Sequence, residues 1–190
     1  MHSTNKIRFS LYFLLLLLIA IPYGGFFVLK DFYEQKSEKI ANARFVIIDK
    51  DKLQLNLYSY NGERLKSYDI ACGKNFGDKR IRGDMRTPEG VFNISDIEES
   101  STWEHDFNDG NGRLTGAYGP WFIRLAVPNQ KGIGIHGTHK PKSIGTRDTE
   151  GCIRLRNEDI EDLKQLVNVG MVVIILPSYA DLLATHRDSI

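Results

Sequence analysis

Cys152 and His136 are the two side chains of this chain best suited to do chemistry together. His136 lies in Gly134-Ile135-His136-Gly137-Thr138, and Cys152 lies in Thr149-Glu150-Gly151-Cys152-Ile153-Arg154-Leu155, 16 residues further on. Each sits on a short apolar segment, and a polar connection containing glycine joins the two. A thiol is a strong nucleophile only as the thiolate, and a nearby imidazole is the usual means of making it one. A Cys that follows Gly is by default a small buried hydrophobe, and a Cys paired with a distant His is a pattern of low specificity on its own. The spacing His136-x-x-His139 with Cys152 offers three ligands to a metal, but it matches no compact metal motif. No metal and no organic cofactor is expected.

Short strands must deliver these groups. Leu53, Leu55 and Leu57 alternate with Gln54, Asn56 and Tyr58, which is the period of a strand, and Asn61-Gly62 after Tyr60 is a hairpin turn. Strands are expected over 43–48, 65–71, 91–94, 121–127 and 133–135, the last delivering His136. Asn157 is expected to N-cap a helix whose inner face is Ile160, Leu163, Leu166 and Val167, with Gly170 ending it. Residues 171–176 form an apolar strand stopped by Pro177. Residues 95–115 have no clean period and read as an exposed insertion or lid, and residues 179–190 as an amphipathic or frayed tail. Many short strands with one good helix argue a mostly β domain, sandwiched or closed like a barrel.

The chain has 190 residues and a formal net charge of +1, so no basic field argues for nucleic acid. Two cysteines make no disulfide framework, and Cys72 reads as a packed strand residue. Residues 9–29 are almost wholly apolar, long enough for a helix to cross about 30 Å of hydrocarbon. Lys6 and Arg8 precede this run, so residues 1–8 are expected in the cytoplasm and the remainder outside it. The expected order is a signal anchor at 9–29, a juxtamembrane stalk at 30–42, a catalytic domain at 43–178 and the tail. That makes a single-pass protein of the cytoplasmic membrane. A cleaved signal peptide is the alternative, although no clear Ala-x-Ala site follows.

Read in order, Arg86-Thr87-Pro88-Glu89-Gly90-Val91-Phe92, Gly119-Pro120-Trp121-Phe122, Ile135-His136-Gly137-Thr138 and Gly151-Cys152-Ile153-Arg154-Leu155 resemble the L,D-transpeptidase catalytic domain of bacterial cell-wall enzymes. The resemblance runs from about residue 44 to 176. It implies a β-rich sandwich with the active site at one open end, Cys152 as nucleophile and His136 as general base. Gly137 or its neighbour would orient His136 through a backbone carbonyl, and the N–H groups of Gly151 and Cys152 would form an oxyanion hole. Arg154 would hold a substrate carboxylate, with Thr138, Thr149 and His139 also lining the substrate site. The implied partners are peptidoglycan stem peptides, with carbapenem β-lactams as covalent inhibitors. The implied reaction cleaves a tetrapeptide stem after its third residue and passes the acyl group to an amine; water in place of the amine makes it an L,D-carboxypeptidase. One departure stands out. The family motif usually reads Ser/Thr-His-Gly-Cys, and here Glu150 replaces that histidine. An acidic neighbour raises a thiol's pKa, so a catalytically weak wall-binding module is the alternative, and His139 is the candidate to replace the missing imidazole in space.

Overall fold

The computed structural model describes residues 25–37, 43–107 and 110–188. They fall into two units divided after Ala43. The first contains helix α1, residues 25–37, with exposed side chains. Most of the anchor expected at 9–29 lies outside the described residues. Among the described residues no helix is long and apolar enough to cross a membrane.

The second unit holds β1 (Arg44–Asp49), β2 (Gln54–Ser59), β3 (Arg64–Asp69), β4 (Cys72–Gly73), β5 (Gly90–Glu99), β6 (Glu104–Asp106), β7 (Arg113–Thr115), β8 (Trp121–Leu125), β9 (Gly134–His136), β10 (Arg147–Thr149), β11 (Ile153–Arg154), α2 (Asn157–Leu166), β12 (Val172–Leu176) and α3 (Tyr179–Arg187). Eight strands form one curled, half-barrel sheet in the order β11-β9-β8-β5-β12-β1-β2-β3. Strands β11 and β3 end this order, and an isolated antiparallel bridge joins Arg154 of β11 to Ala71, two residues beyond β3. The remaining strands pair as β10 with β4 and β6 with β7.

Alternation explains the core. Leu57 faces Val46, Val46 faces Val173, and Val173 faces Phe92 across neighbouring strands. Ile123 faces Ile135 and Ile135 faces Ile153 at the other end. Because side chains one residue apart point to opposite faces, this register gathers the apolar set on one side, where all of these residues are buried. Helix α2 lays Ile160 and Leu163 into the same cluster.

Three expectations change. Residues 95–115, expected as an exposed insertion or lid, carry regular structure: β5 runs on to Glu99, and β6 and β7 form a hairpin. Their strands have three residues each, too short to show a period. Residues 179–187 are a helix with a full capping box, in which Ser178 and Asp181 exchange hydrogen bonds. Helix α2 has Arg156, not Asn157, at its N-cap and ends at Leu166, before Gly170.

A buried ionic cluster fastens α3 to the sheet. The Lys50 side chain, at 0% exposure, pairs with Glu89 at 2.7 Å and with Asp181 at 3.3 Å. Asp181 also accepts Arg147 at 2.7 Å and the Gly77 N–H at 2.8 Å. Burial alone would raise the Asp181 pKa, but hydrogen bonds from Ser178 and Gly77 and the Lys50 charge hold it at about 2. Removing Asp181 takes from Arg147 and Lys50 the buried carboxylate that they share. Asp181→Ala should therefore cost about 3–5 kcal/mol, read as a lowered urea midpoint. A midpoint within about 0.5 kcal/mol of the parent's would show that the cluster does not hold the fold together.

Candidate active site

The pairing of β9 with β11 sets the segments that carry His136 and Cys152 side by side. The strands run parallel with Ile153 beside Ile135 and Arg154 beside His136. Ile135 and Ile153 point into the core, so His136, Arg154 and Cys152 share the opposite face. Backbone bonds lock this edge: Leu155 N–H donates to the His136 carbonyl at 2.8 Å, and Arg154 exchanges two hydrogen bonds with Ala71. Gly134 is the residue on β9 beside Cys152. A Cβ there would lie 2.6 Å from the Ile123 carbonyl oxygen and would also strike the Phe122 ring.

His136 is buried and fixed in one orientation. Its Nδ1–H donates to the Gly137 carbonyl at 2.7 Å, which leaves Nε2 as the acceptor nitrogen. The Phe122 ring stacks on the imidazole at 5.5 Å and 4°, and the Tyr118 ring meets it edge-on at 5.0 Å. Behind it, the Asn157 side chain accepts the Thr138 N–H at 2.7 Å. Asn157, expected to cap a helix, instead braces the segment after the base.

The turn before Cys152 needs glycine. Gly151 has φ +132°, and a Cβ would lie 2.6 Å from the Arg86 carbonyl oxygen. Thr87, fully buried, spans the same junction: its hydroxyl donates to the Gly151 carbonyl at 2.9 Å and accepts the Gly73 N–H at 2.8 Å. Thr149 closes the turn, donating to the Cys152 carbonyl at 2.6 Å and accepting the Gly151 N–H at 3.1 Å. That last bond corrects an expectation. The Gly151 N–H assigned to an oxyanion hole is engaged by Thr149, and the requirement for glycine at 151 is steric and conformational.

Both reactive groups are neutral at rest. Burial pushes the Cys152 thiol up to about 11 and outweighs the Gly134 N–H and the charges of Lys79 and Arg154, which favour the thiolate. Burial likewise pulls His136 down to about 3, against the pull of the Gly137 carbonyl. The thiol hydrogen-bonds to the Gly132 carbonyl at 3.3 Å. Gly132 also lines a cleft of about 550 Å³ walled by Trp103, Tyr118, Phe122 and Arg124, and Cys152 is not among its lining residues. Cys72 is fully buried, and burial raises its pKa as well.

The expected substrate residues fare differently. Arg154 is 4% exposed and donates to Ser143 at 2.8 Å and Asp148 at 3.1 Å, so its guanidinium is held by the protein. Thr138 and Thr149 are buried in turn hydrogen bonds rather than open to a ligand. His139 is exposed and bonds to the Ala117 carbonyl at 3.0 Å. It does not replace the missing imidazole beside Glu150. That place is taken by His105 of β6, whose Nε2 lies 3.2 Å from the Glu150 carboxylate. Sequence reasoning missed His105, Tyr118, Thr87 and Asn157 as parts of this site; the resemblance of the Thr-Pro segment was the one available signal for Thr87.

The neutral His136 makes stability depend on pH. An unfolded histidine titrates near 6.5, so between that value and about 3 the unfolded chain holds a proton that the native protein lacks. Stability is complete above about 6.5 and falls as pH drops. The loss for this one group is about 2 kcal/mol between pH 7 and 5. In urea melts at both pH values, His136→Asn should lose correspondingly less than the parent; equal losses in the two proteins would contradict a buried neutral imidazole.

Comparison with known proteins agrees with this architecture. The family model YkuD, the L,D-transpeptidase catalytic domain, matches residues 43–175. YkuD of Bacillus subtilis is 32% identical over 117 residues, covering 62% of this chain and 57% of that protein. The chain thus spans a little over half the length of the curated relatives that it matches first. The helical cell shape determining protein Pgp2 from Campylobacter jejuni superposes with a TM-score of 0.52 at 25% identity, over 75% of this chain and 52% of that one. The L,D-transpeptidase LdtMt1, solved in complex with imipenem, superposes with a TM-score of 0.52 at 18% identity, over 70% of this chain and 57% of that one. An oriented imidazole on β9, a thiol immediately before the parallel strand β11, the glycine turn before that thiol and the match over residues 43–175 place this chain in the YkuD family of L,D-transpeptidase catalytic domains.

Proposed function

We propose that this protein is an L,D-transpeptidase in which Cys152 is the nucleophile and His136 the general base. The observation that carries the proposal is the fixed tautomer of His136: its Nδ1–H is committed to Gly137, so Nε2 is the basic nitrogen on the face shared with Cys152. Both groups start neutral, so proton transfer accompanies attack rather than preceding it as a stored ion pair. The Cys152 proton leaves its bond with Gly132 and passes to Nε2 as sulfur attacks the carbonyl of the third residue of a stem tetrapeptide. The carbonyl π-bond opens to an oxyanion, for which the Cys152 N–H is the candidate backbone donor. When the carbonyl re-forms, the C–N bond to D-alanine breaks and His136 returns the proton to the departing amine. An acceptor amine, from a neighbouring stem or a protein side chain, then attacks the thioester and the thiol is regenerated.

The apolar run at 9–29, with Lys6 and Arg8 before it, supports a membrane anchor that holds the catalytic domain outside the cytoplasmic membrane, where peptidoglycan lies. The imipenem complex of LdtMt1 supports carbapenems as covalent inhibitors here. A second reading, a wall-binding module with little turnover, is favoured by the protonated thiol and by the engagement of the Gly151 N–H.

Intact mass after incubation with imipenem separates the two. The parent should gain one adduct, Cys152→Ala none, and His136→Ala should react at least about a hundredfold more slowly. No adduct on a folded protein with reduced Cys152 would favour the binding module. With a tetrapeptide substrate, free D-alanine without cross-linked dimers would identify a carboxypeptidase.

A further inference from the structure

Glu150 stands where the family motif usually carries histidine, and the structure gives it a partner. The His105 Nε2–H donates to the Glu150 carboxylate at 3.2 Å. In the neutral imidazole this leaves Nδ1 as an acceptor, and the Tyr118 O–H donates to it at 2.8 Å. The Tyr118 ring in turn packs edge-on against the His136 imidazole at 5.0 Å. A continuous chain of contacts therefore runs from the residue two before the nucleophile to the face of the base. The hairpin of β6 and β7 supplies its middle member, 45 residues away from Glu150 in sequence. His105 is itself held by an edge-on contact with Phe107 at 4.5 Å. Tyr118 sits in a turn tied by the Gly119 N–H to the Gly116 carbonyl and by His139 to Ala117.

We propose that Glu150, His105 and Tyr118 form a positioning strut that holds the Cys152 turn and the His136 imidazole in register. None of the three need touch the reacting atoms. Tyr118 and Phe122 bracket the imidazole, and the strut fixes the one of these two that is not a sheet residue. Glu150 is then an orienting acceptor rather than a misplaced charge, and the hairpin is part of the catalytic apparatus. The proposal rests on the assignment of Cys152 and His136 as nucleophile and base.

Charge and strut predict opposite signs, so one experiment decides. A carboxylate acting only as a neighbouring negative charge disfavours the thiolate, and its removal would speed reaction of the sulfur. A carboxylate acting as the anchor of a strut would slow it on removal. The measurement is the rate of carboxamidomethylation of Cys152 in the full chain by iodoacetamide, followed by peptide mass, with imipenem acylation in parallel. Thermal melts establish that each variant is folded. Glu150→Ala and His105→Ala should each slow alkylation about tenfold, the loss of one well-placed hydrogen bond. The double variant should be no slower than the slower single variant. Glu150→Gln keeps an acceptor oxygen and should remain within about threefold of the parent, while Tyr118→Phe should resemble His105→Ala. Faster alkylation in both Glu150 variants, unchanged rates, or losses that simply multiply in the double variant would overturn the strut. If alkylation of the parent depends on His136 but imipenem never adds to it, the transpeptidase reading fails, and the alkylation rates still decide for or against the strut.

Discussion

The buried ammonium of Lys50 is the interaction on which the rest of this domain depends. It lies at the end of β1, where Asp181 of α3, Glu89 and the Thr87 carbonyl converge on it. An unpaired charge at that depth would cost several kcal/mol, so the C-terminal helix must dock and the segment from Gly77 to Glu89 must fold back over the strand. Arg147 joins through Asp181, which fixes β10 as well. The elements that meet at Lys50 also lead to the nucleophile: Thr87 bonds to Gly151, and β10 runs through Thr149 into the turn before Cys152. The placement of the sulfur thus depends on an ion cluster several residues removed from it.

Burial, which stabilises the sheet, also sets the chemistry. The Ile135–Ile153 pair that joins β9 to β11 holds the thiol and the imidazole close to a low-dielectric core. There the charged form of each is disfavoured. The charges of Lys79 and Arg154 favour the thiolate, but burial outweighs them. The same packing that makes the fold thus disfavours the charged form of both side chains.

Much of the site was legible because it is local. The alternation around Leu55, the turn at Asn61-Gly62, and the segments carrying His136 and Cys152 are each short-range patterns, and the observed strands bear out these readings. Arg154 shows the limit of that approach. Its residue type suited a substrate carboxylate, yet Ser143 and Asp148 hold its Nη1, a fact that depends on the turn between β9 and β10. The hairpin of β6 and β7 was illegible for a different reason: three-residue strands that face solvent carry no apolar period.

The sequence by itself determined the family and the mostly β character, and it singled out Cys152 and His136 as the candidate pair, because these rest on residue types at fixed spacing along one strand or turn. Tertiary structure alone decided that the sheet is an open half-barrel, that the final residues form a helix anchored by a buried ion pair, and that Glu150 meets His105. Each of these is a pairing between segments far apart in the chain, selected by the burial of charge and by strand register rather than by any local preference. No one-dimensional pattern records which carboxylate a distant imidazole will meet once the core has closed.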